Sequence, residues 1–159
     1  MTTIMIKALV MDVDGTLTDG KIYIGSTGEI MKAFSVLDGF AIVHMLPKLQ
    51  IIPIVLTGRS SAIVEIRCSE LGIKHCYQDV TDKSFALTKL LSTLDISFDE
   101  VAYIGDDLND LSCMKLCGLR LCPANAAAEV VEVCDFAAAR NGGDGAVREC
   151  IEWIEKSFF

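Results

Sequence analysis

The sequence predicts an α/β fold built on a parallel sheet, and three observations carry that expectation. Short apolar runs of strand length alternate with longer segments of helical period along the chain, the pattern left by parallel strands joined through crossover helices. Two of the runs end in glycine turns bearing clustered acids, Met11-Asp12-Val13-Asp14-Gly15 and Ile104-Gly105-Asp106-Asp107. With 159 residues, 52% of them hydrophobic, the chain is long enough for one substantial core. The expected architecture is a Rossmann-like, doubly wound parallel sheet in a single domain over residues 1–159. It carries a β-hairpin flap after the first strand and no cap domain.

The apolar stretch at residues 4–11 reads as the first strand. Residues 21–35, KIYIGSTGEIMKAFS, hold two alternating runs around Gly25-Ser26-Thr27-Gly28 and read as a hairpin. A helix is expected over 39–49, a strand over 51–56, a helix over 61–71 stopped by Gly72, and a strand over 75–77. The segment 83–94 has Ser84, Thr88 and Ser92 on one stripe, with Phe85, Leu87, Leu90, Leu91 and Leu94 supplying the buried side of an amphipathic helix. Beyond it follow a strand at 101–104, a helix at 108–116 ending before Gly118, and a strand at 119–122 ending before Pro123. A helix at 126–133, a short strand near Phe136 and a helix over 145–158 complete the series. Residues 20–56 are filled by the hairpin, one helix and the second strand, and 59–106 by ordinary α/β units, which leaves no room for a cap domain.

The net charge of −8 disfavours nucleic acid or an acidic membrane as partner. An anionic small substrate stays open, because a bound divalent ion inverts the local field. No apolar run approaches the ~20 residues that span a bilayer. The start MTTIMIKALV lacks the basic residues and cleavage site of a signal peptide, so a cytoplasmic protein is expected. Seven cysteines without a C-x-x-C pair or a nearby histidine read as small packing residues in a reducing compartment, rather than as a thiolate metal site around Cys113, Cys117 and Cys122. His44 and His75 lie in apolar sequence and read as packing residues.

The chemistry concentrates at the acidic turns. Asp12 falls just past the end of a buried strand, where ligands bind in open parallel sheets. Strand alternation alone would send Asp14 the opposite way, and the Gly15 turn can swing it back towards the same site. Asp106, Asp107 and Asp110 repeat the device at a second strand end, and oxygen donors clustered this way suit Mg²⁺. Thr57, closing IIPIVLT, can offer its hydroxyl and backbone N–H to an anion, with Gly58 allowing close approach. Arg59 and Arg67 suit bidentate binding of a carboxylate or a second anionic group, and their spacing puts them on roughly the same side of a helix start.

Four motifs in order, Asp12-Val13-Asp14-Gly15-Thr16, Thr57-Gly58-Arg59, Lys83, and Gly105-Asp106-Asp107 with Asp110, make the chain similar to the haloacid dehalogenase superfamily of Mg²⁺-dependent aspartyl phosphotransferases. The resemblance implies Asp12 as the nucleophile, which carries the phosphoryl group as an acyl phosphate. It implies Asp14 as the acid and base that protonates the leaving alkoxide and then activates water, and Lys83 as the phosphate counter-charge. Metal would be held by the side chains of Asp12 and Asp106 and the backbone carbonyl of Asp14, with Asp107 and Asp110 orienting waters or Lys83 from behind. Thr57, Gly58, Arg59, Arg67 and Asn109 would contact substrate.

Beyond the motifs, TDG at 18–20, the hairpin, GEIMKAFSVLDGFAI, YQDVTDK and NGGDGAVRE resemble the capless branch of that superfamily. The branch hydrolyses acidic keto-sugar phosphates, and the arginine pair with the GGxGAVRE tail favours 3-deoxy-D-manno-octulosonate 8-phosphate as substrate. Nonulosonate 9-phosphates are the alternative, to which Thr16 is equally suited. A third reading is a catalytically weak oligomerisation domain like those appended to cytidylyltransferases, against which the intact set Asp12, Asp14, Lys83 and Asp106 speaks. The resemblance further implies a homotetramer in which a neighbouring subunit helps close the site.

Overall fold

The structure, a computed structural model, describes residues 5–159. Strand β1 (Ala8–Met11) is followed by a hairpin, β2 (Tyr23–Gly25) and β3 (Gly28–Met31), and then by β4 (Ile52–Leu56), β5 (His75–Tyr77), β6 (Val101–Ile104), β7 (Leu119–Cys122) and β8 (Phe136–Ala137). The expected strand start at Ile4 lies outside the described residues. The six strands other than the hairpin form one sheet in the order β5-β4-β1-β6-β7-β8, with every neighbouring pair parallel. From β1 the chain moves out through β4 and β5, returns to β6 on the other side of β1, and continues to β8. The order therefore reverses between β1 and β6, and a crevice opens at their carboxyl ends.

Both faces of the sheet are covered, so its strands are apolar throughout rather than alternating. Leu9, Met11, Val55 and Ile104 point to one layer, made by the segment from α1 (Val36–Phe40) to Leu46, α2 (Ala62–Glu70) and α6 (Ala146–Phe158). Ala8, Val10, Ile54 and Tyr103 point to the other, made by α3 (Lys83–Leu94), α4 (Leu111–Met114) and α5 (Ala128–Val133). Among the described residues no helix is long and apolar enough to cross a membrane.

Side-chain caps decide the helix starts. Ser35 accepts the Leu37 N–H, so α1 begins at Val36, earlier than the expected residue 39, and passes into a wider π turn over Ala41–Met45. Ser61 caps α2, and Asp82 caps α3 through the Phe85 N–H at 3.0 Å. The 108–116 segment divides into a tight 3₁₀ turn, Leu108–Asp110, and the single turn of α4, because the Asp107 and Asp110 carboxylates draw the chain into a capping box.

Two packing expectations change. Phe85 is exposed, with the Lys89 ammonium 5.6 Å from its ring, while Leu87, Leu90 and Leu91 of the same helix are buried. The sheet lies opposite the Leu87 face, and Phe85 sits off that stripe. His44 is exposed on the π turn, 4.7 Å from the Phe40 ring, rather than packed inside. All seven cysteines are free, five of them buried. Burial pushes Cys113 up to about 11 and Cys68 up to about 12, so both pack as protonated thiols.

Candidate active site

The loop after β1 is built from the backbone upward. The Asp12 N–H donates to the Ile104 carbonyl at 3.1 Å, tying the ends of β1 and β6, and the Val13 carbonyl takes the N–H groups of Thr16, Leu17 and Thr18. Gly15 turns the chain at φ +92°, and a Cβ there would overlap the Asp106 carboxylate. The loop is buttressed from behind by Asn141–Gly145. A Cβ at Gly142 would overlap the Gly15 carbonyl, and Asn125 bridges the two glycines, donating to Gly15 O at 2.9 Å and accepting from Gly142 N at 2.6 Å. Gly142 and Gly143 of NGGDG are thus required by close backbone approach to the loop carrying Asp12.

At the crevice, Lys83 at the first position of α3 is buried, its side chain 3% exposed. Its ammonium donates to Asp12 Oδ1 at 3.0 Å and to Asp110 Oδ1 at 2.9 Å. A solvated helix-start lysine is excluded. Asp110 is completely buried and fully engaged: Oδ1 also accepts the Tyr103 hydroxyl at 2.7 Å, and Oδ2 accepts the N–H groups of Asp106 and Asp107. The Thr16 hydroxyl donates to Asp106 Oδ1 at 2.8 Å.

Carboxylate oxygens of Asp12, Asp106 and Asp110 lie within 4.8 Å of one another. Burial raises the Asp12 carboxyl above its ordinary value, and the Asp110 charge adds to this against the pull of Lys83. Burial pushes Asp106 up to about 8, with the charges of Asp12 and Asp110 raising it further and the Thr16 hydrogen bond opposing them. One lysine leaves this group of acids short of positive charge. An oxygen-seeking divalent cation fits that donor set, with the side chains of Asp12 and Asp106 facing it. The oxygens of Asp110 are already committed to four donors, so Asp110 anchors Lys83 and the loop after β6.

Asp14 does not swing into this cluster. Its Oδ1 takes Lys32 Nζ at 2.6 Å and its Oδ2 lies 3.9 Å from Arg59 Nε, so its neighbours are cations rather than the acids of the crevice. Among the described residues nothing donates to its backbone carbonyl. Thr57 is buried at the end of β4, but its N–H is spent on the Tyr77 carbonyl at 3.0 Å, which removes one of the two expected donors. Its hydroxyl has no partner among the described residues. Gly58 and Arg59 follow it, exposed. Asp107 accepts the Leu108 N–H, and Asn109 is exposed on the same turn.

Arg59 and Arg67 share no partner. Arg59 stands by Asp14 and Glu29, whereas Arg67, on the last turn of α2, lies over the Phe34 ring and reaches Ser35 O and Glu70 at 3.4 Å. Arg59 precedes the helix, so eight-residue spacing does not superimpose the pair. Four further residues, Thr16, Tyr103, Asn125 and Lys32, hold the site, and none was assigned a contact there from sequence, although Thr16 closes the first motif. Only Thr16 adjoins a recognisable acidic turn. Tyr103 reaches Asp110 seven residues on, and Asn125 and Lys32 show themselves through contacts to the first loop from further along the chain.

Fold and site together define a hydrolase: a sequence model of haloacid dehalogenase-like hydrolases matches residues 56–150, and the chain belongs to that family. Within it, the chain is 44% identical over 149 residues, 94% of its length and 79% of the relative, to 3-deoxy-D-manno-octulosonate 8-phosphate phosphatase KdsC of Escherichia coli (strain K12). The crystal structure of 3-deoxy-D-manno-octulosonate 8-phosphate phosphatase from Moraxella catarrhalis, in complex with magnesium ion, phosphate ion and a KDO molecule, matches with a TM-score of 0.91 and 43% identity. That match covers 97% of this chain and 88% of that one. The cobalt-bound form of the Haemophilus influenzae phosphatase matches with a TM-score of 0.91 and 35% identity, covering 98% and 91%.

Proposed function

We infer that the chain is a magnesium-dependent phosphomonoesterase acting on 3-deoxy-D-manno-octulosonate 8-phosphate through an aspartyl-phosphate intermediate. The observation that carries this is the buried bridge from Lys83 to Asp12 and Asp110, beside an Asp106 that asks for a cation, in a chain 44% identical to KdsC. The eight-carbon substrate is preferred to the nonulosonate 9-phosphates on that likeness and on the KDO-bound neighbour. A domain kept only for assembly has no need of a desolvated lysine held between two carboxylates, which disfavours the scaffold reading.

Asp12 is the nucleophile. Its carboxylate oxygen attacks phosphorus in line with the departing sugar oxygen, and the P–O bond to the sugar breaks. Lys83, with the Thr57 hydroxyl, stabilises the transferring phosphoryl group. Asp14, on the hairpin side of Asp12, gives its proton to the alkoxide. It then takes one from the water that attacks phosphorus, breaking the P–O bond to Asp12 and releasing phosphate. Magnesium, when held by the side chains of Asp12 and Asp106 and the carbonyl of Asp14, supplies charge neutralisation for the phosphate.

Arg59 lies beyond Asp14 from the phosphate pocket and is the cation of this chain best placed for the sugar acid's carboxylate. Arg67 pairs with Glu70 and Ser35 rather than with the acids of the crevice, and suits a neighbouring subunit's site. A homotetramer is supported by the apolar surface on the hairpin and α1, where Ile24 is 71% and Val36 84% exposed. A cytoplasmic location is supported by the seven free thiols. The reading is tested by magnesium-dependent phosphate release from the eight-carbon acid phosphate, a nine-carbon homologue and an aryl phosphate. The highest kcat/KM should fall on the first. A preference for the nine-carbon acid overturns the substrate, and no turnover on any of them overturns the enzyme.

A further inference from the structure

Strand β3 leads directly into Lys32, whose side chain is only 1% exposed although it belongs to a surface hairpin. A desolvated ammonium is costly unless paired. Here it donates to Asp14 Oδ1 at 2.6 Å and lies 3.0 Å from Glu29 Oε2. Burial opposes the charge on Lys32, and the hydrogen bond to Asp14 with the charges of Asp14 and Glu29 outweighs it and raises its pKa. Glu29 in turn accepts the Ser61 hydroxyl at 2.6 Å through its other oxygen, pinning the hairpin to the cap of α2. Sealed from solvent, Lys32 is not free to bind a substrate's acid group. What it fixes is the direction of the Asp14 carboxylate.

We propose that Lys32 is a positioning residue for catalysis, and that the hairpin aims Asp14 through it as well as covering the pocket. The proposal rests on the reading of Asp14 as acid and base. A carboxylate on a loop three residues past a strand end has free rotamers, and general acid–base catalysis needs it within hydrogen-bond reach of a particular oxygen. Lys32, held from the far side by Glu29, removes that freedom.

The test separates the two halves of the reaction with p-nitrophenyl phosphate. Its nitrophenolate departs without a proton, so phosphorylation of Asp12 does not call on Asp14, whereas hydrolysis of the intermediate does. Lys32→Met should give a stoichiometric burst of nitrophenolate at the wild-type rate. The steady state that follows should be roughly 10–100-fold slower than wild type. On the sugar phosphate, whose leaving group needs the proton, the burst itself should slow. Burst and steady state falling together on the aryl ester, or neither changing, would overturn the proposal.

If Lys32→Met does not fold, Lys32→Arg, which keeps the buried charge, reads the same contrast. A slower steady state with an intact burst supports the role, and any other pattern overturns it. Asp14→Asn distinguishes the two readings. Wild-type turnover in that variant sinks Asp14 as acid and base. A crippled Asp14→Asn that Lys32→Met slows no further supports action through Asp14, and a further loss equal to that in wild type overturns it.

Discussion

Lys83 Nζ sits 3.0 Å from Asp12 Oδ1 while the same ammonium, 2.9 Å from Asp110 Oδ1, shares that second oxygen with the Tyr103 hydroxyl. A carboxylate just past β1, a lysine on α3, an anchor in the turn after β6 and a phenol within β6 thus form one buried chain. Removing Lys83 leaves two buried carboxylates uncompensated. Lys83→Ala should destabilise the metal-free protein by about 3–5 kcal/mol, measured by urea unfolding, and lower kcat at least 100-fold.

Asp12→Asn keeps the volume and a hydrogen-bond acceptor for Lys83 but removes the attacking oxygen's charge. Turnover should fall by at least about 10⁴-fold with the circular dichroism spectrum unchanged. Activity near wild type would remove Asp12 as nucleophile.

Asp106, pushed up to about 8, couples metal binding and stability to pH. Its folded pKa exceeds its unfolded one, so it stabilises the metal-free fold while protonated and loses that contribution as pH rises through about 8. Asp38, pushed up to about 6 by burial, has largely ionised before then. Between pH 6 and 8 in EDTA the Tm should fall, by an amount on the order of 1 kcal/mol or roughly 2–4 °C. Magnesium should reverse the trend and release a proton as it binds, detectable by calorimetry in two buffers of different ionisation enthalpy.

Arg59 flanks Asp14, and Arg67 does not. Arg59→Ala should raise KM for the sugar acid phosphate about tenfold and leave the aryl phosphate within twofold. Arg67→Ala should produce that discrimination only in the assembled oligomer. Equal effects on both substrates would show that neither arginine reads the acid group.

Gly142→Ala should force the Gly15 loop to move, because the new Cβ would overlap the Gly15 carbonyl, and loss of both Tm and kcat is expected.

The sheet and its acidic turns were legible because they rest on local signals. Apolar runs with β-propensity and polar turns specify strands and their ends wherever they lie, and 75–77, 101–104 and 119–122 coincide with β5, β6 and β7. Helix starts were less legible, since a cap such as Ser35 competes with other serines and only the folded chain selects one. The side Phe85 faces was missed for a similar reason: an apolar residue near the edge of a stripe is assigned by the neighbouring layer rather than by periodicity.

The sequence by itself determined that carboxylates stand beyond two strand ends with a lysine opening a later helix, which defines the chemistry. Only the tertiary structure decided how these groups share charge. It brought Asp12, Asp106, Asp110 and Lys83 together, turned Asp14 away towards Lys32 and Arg59, spent the Thr57 N–H within the sheet, and separated Arg59 from Arg67. The physical reason is that composition and spacing fix which groups sit on a turn. Rotamer, burial and partner depend on contacts between residues as far apart as Lys83 and Asp12, whose free energies exist only once the sheet has closed around them.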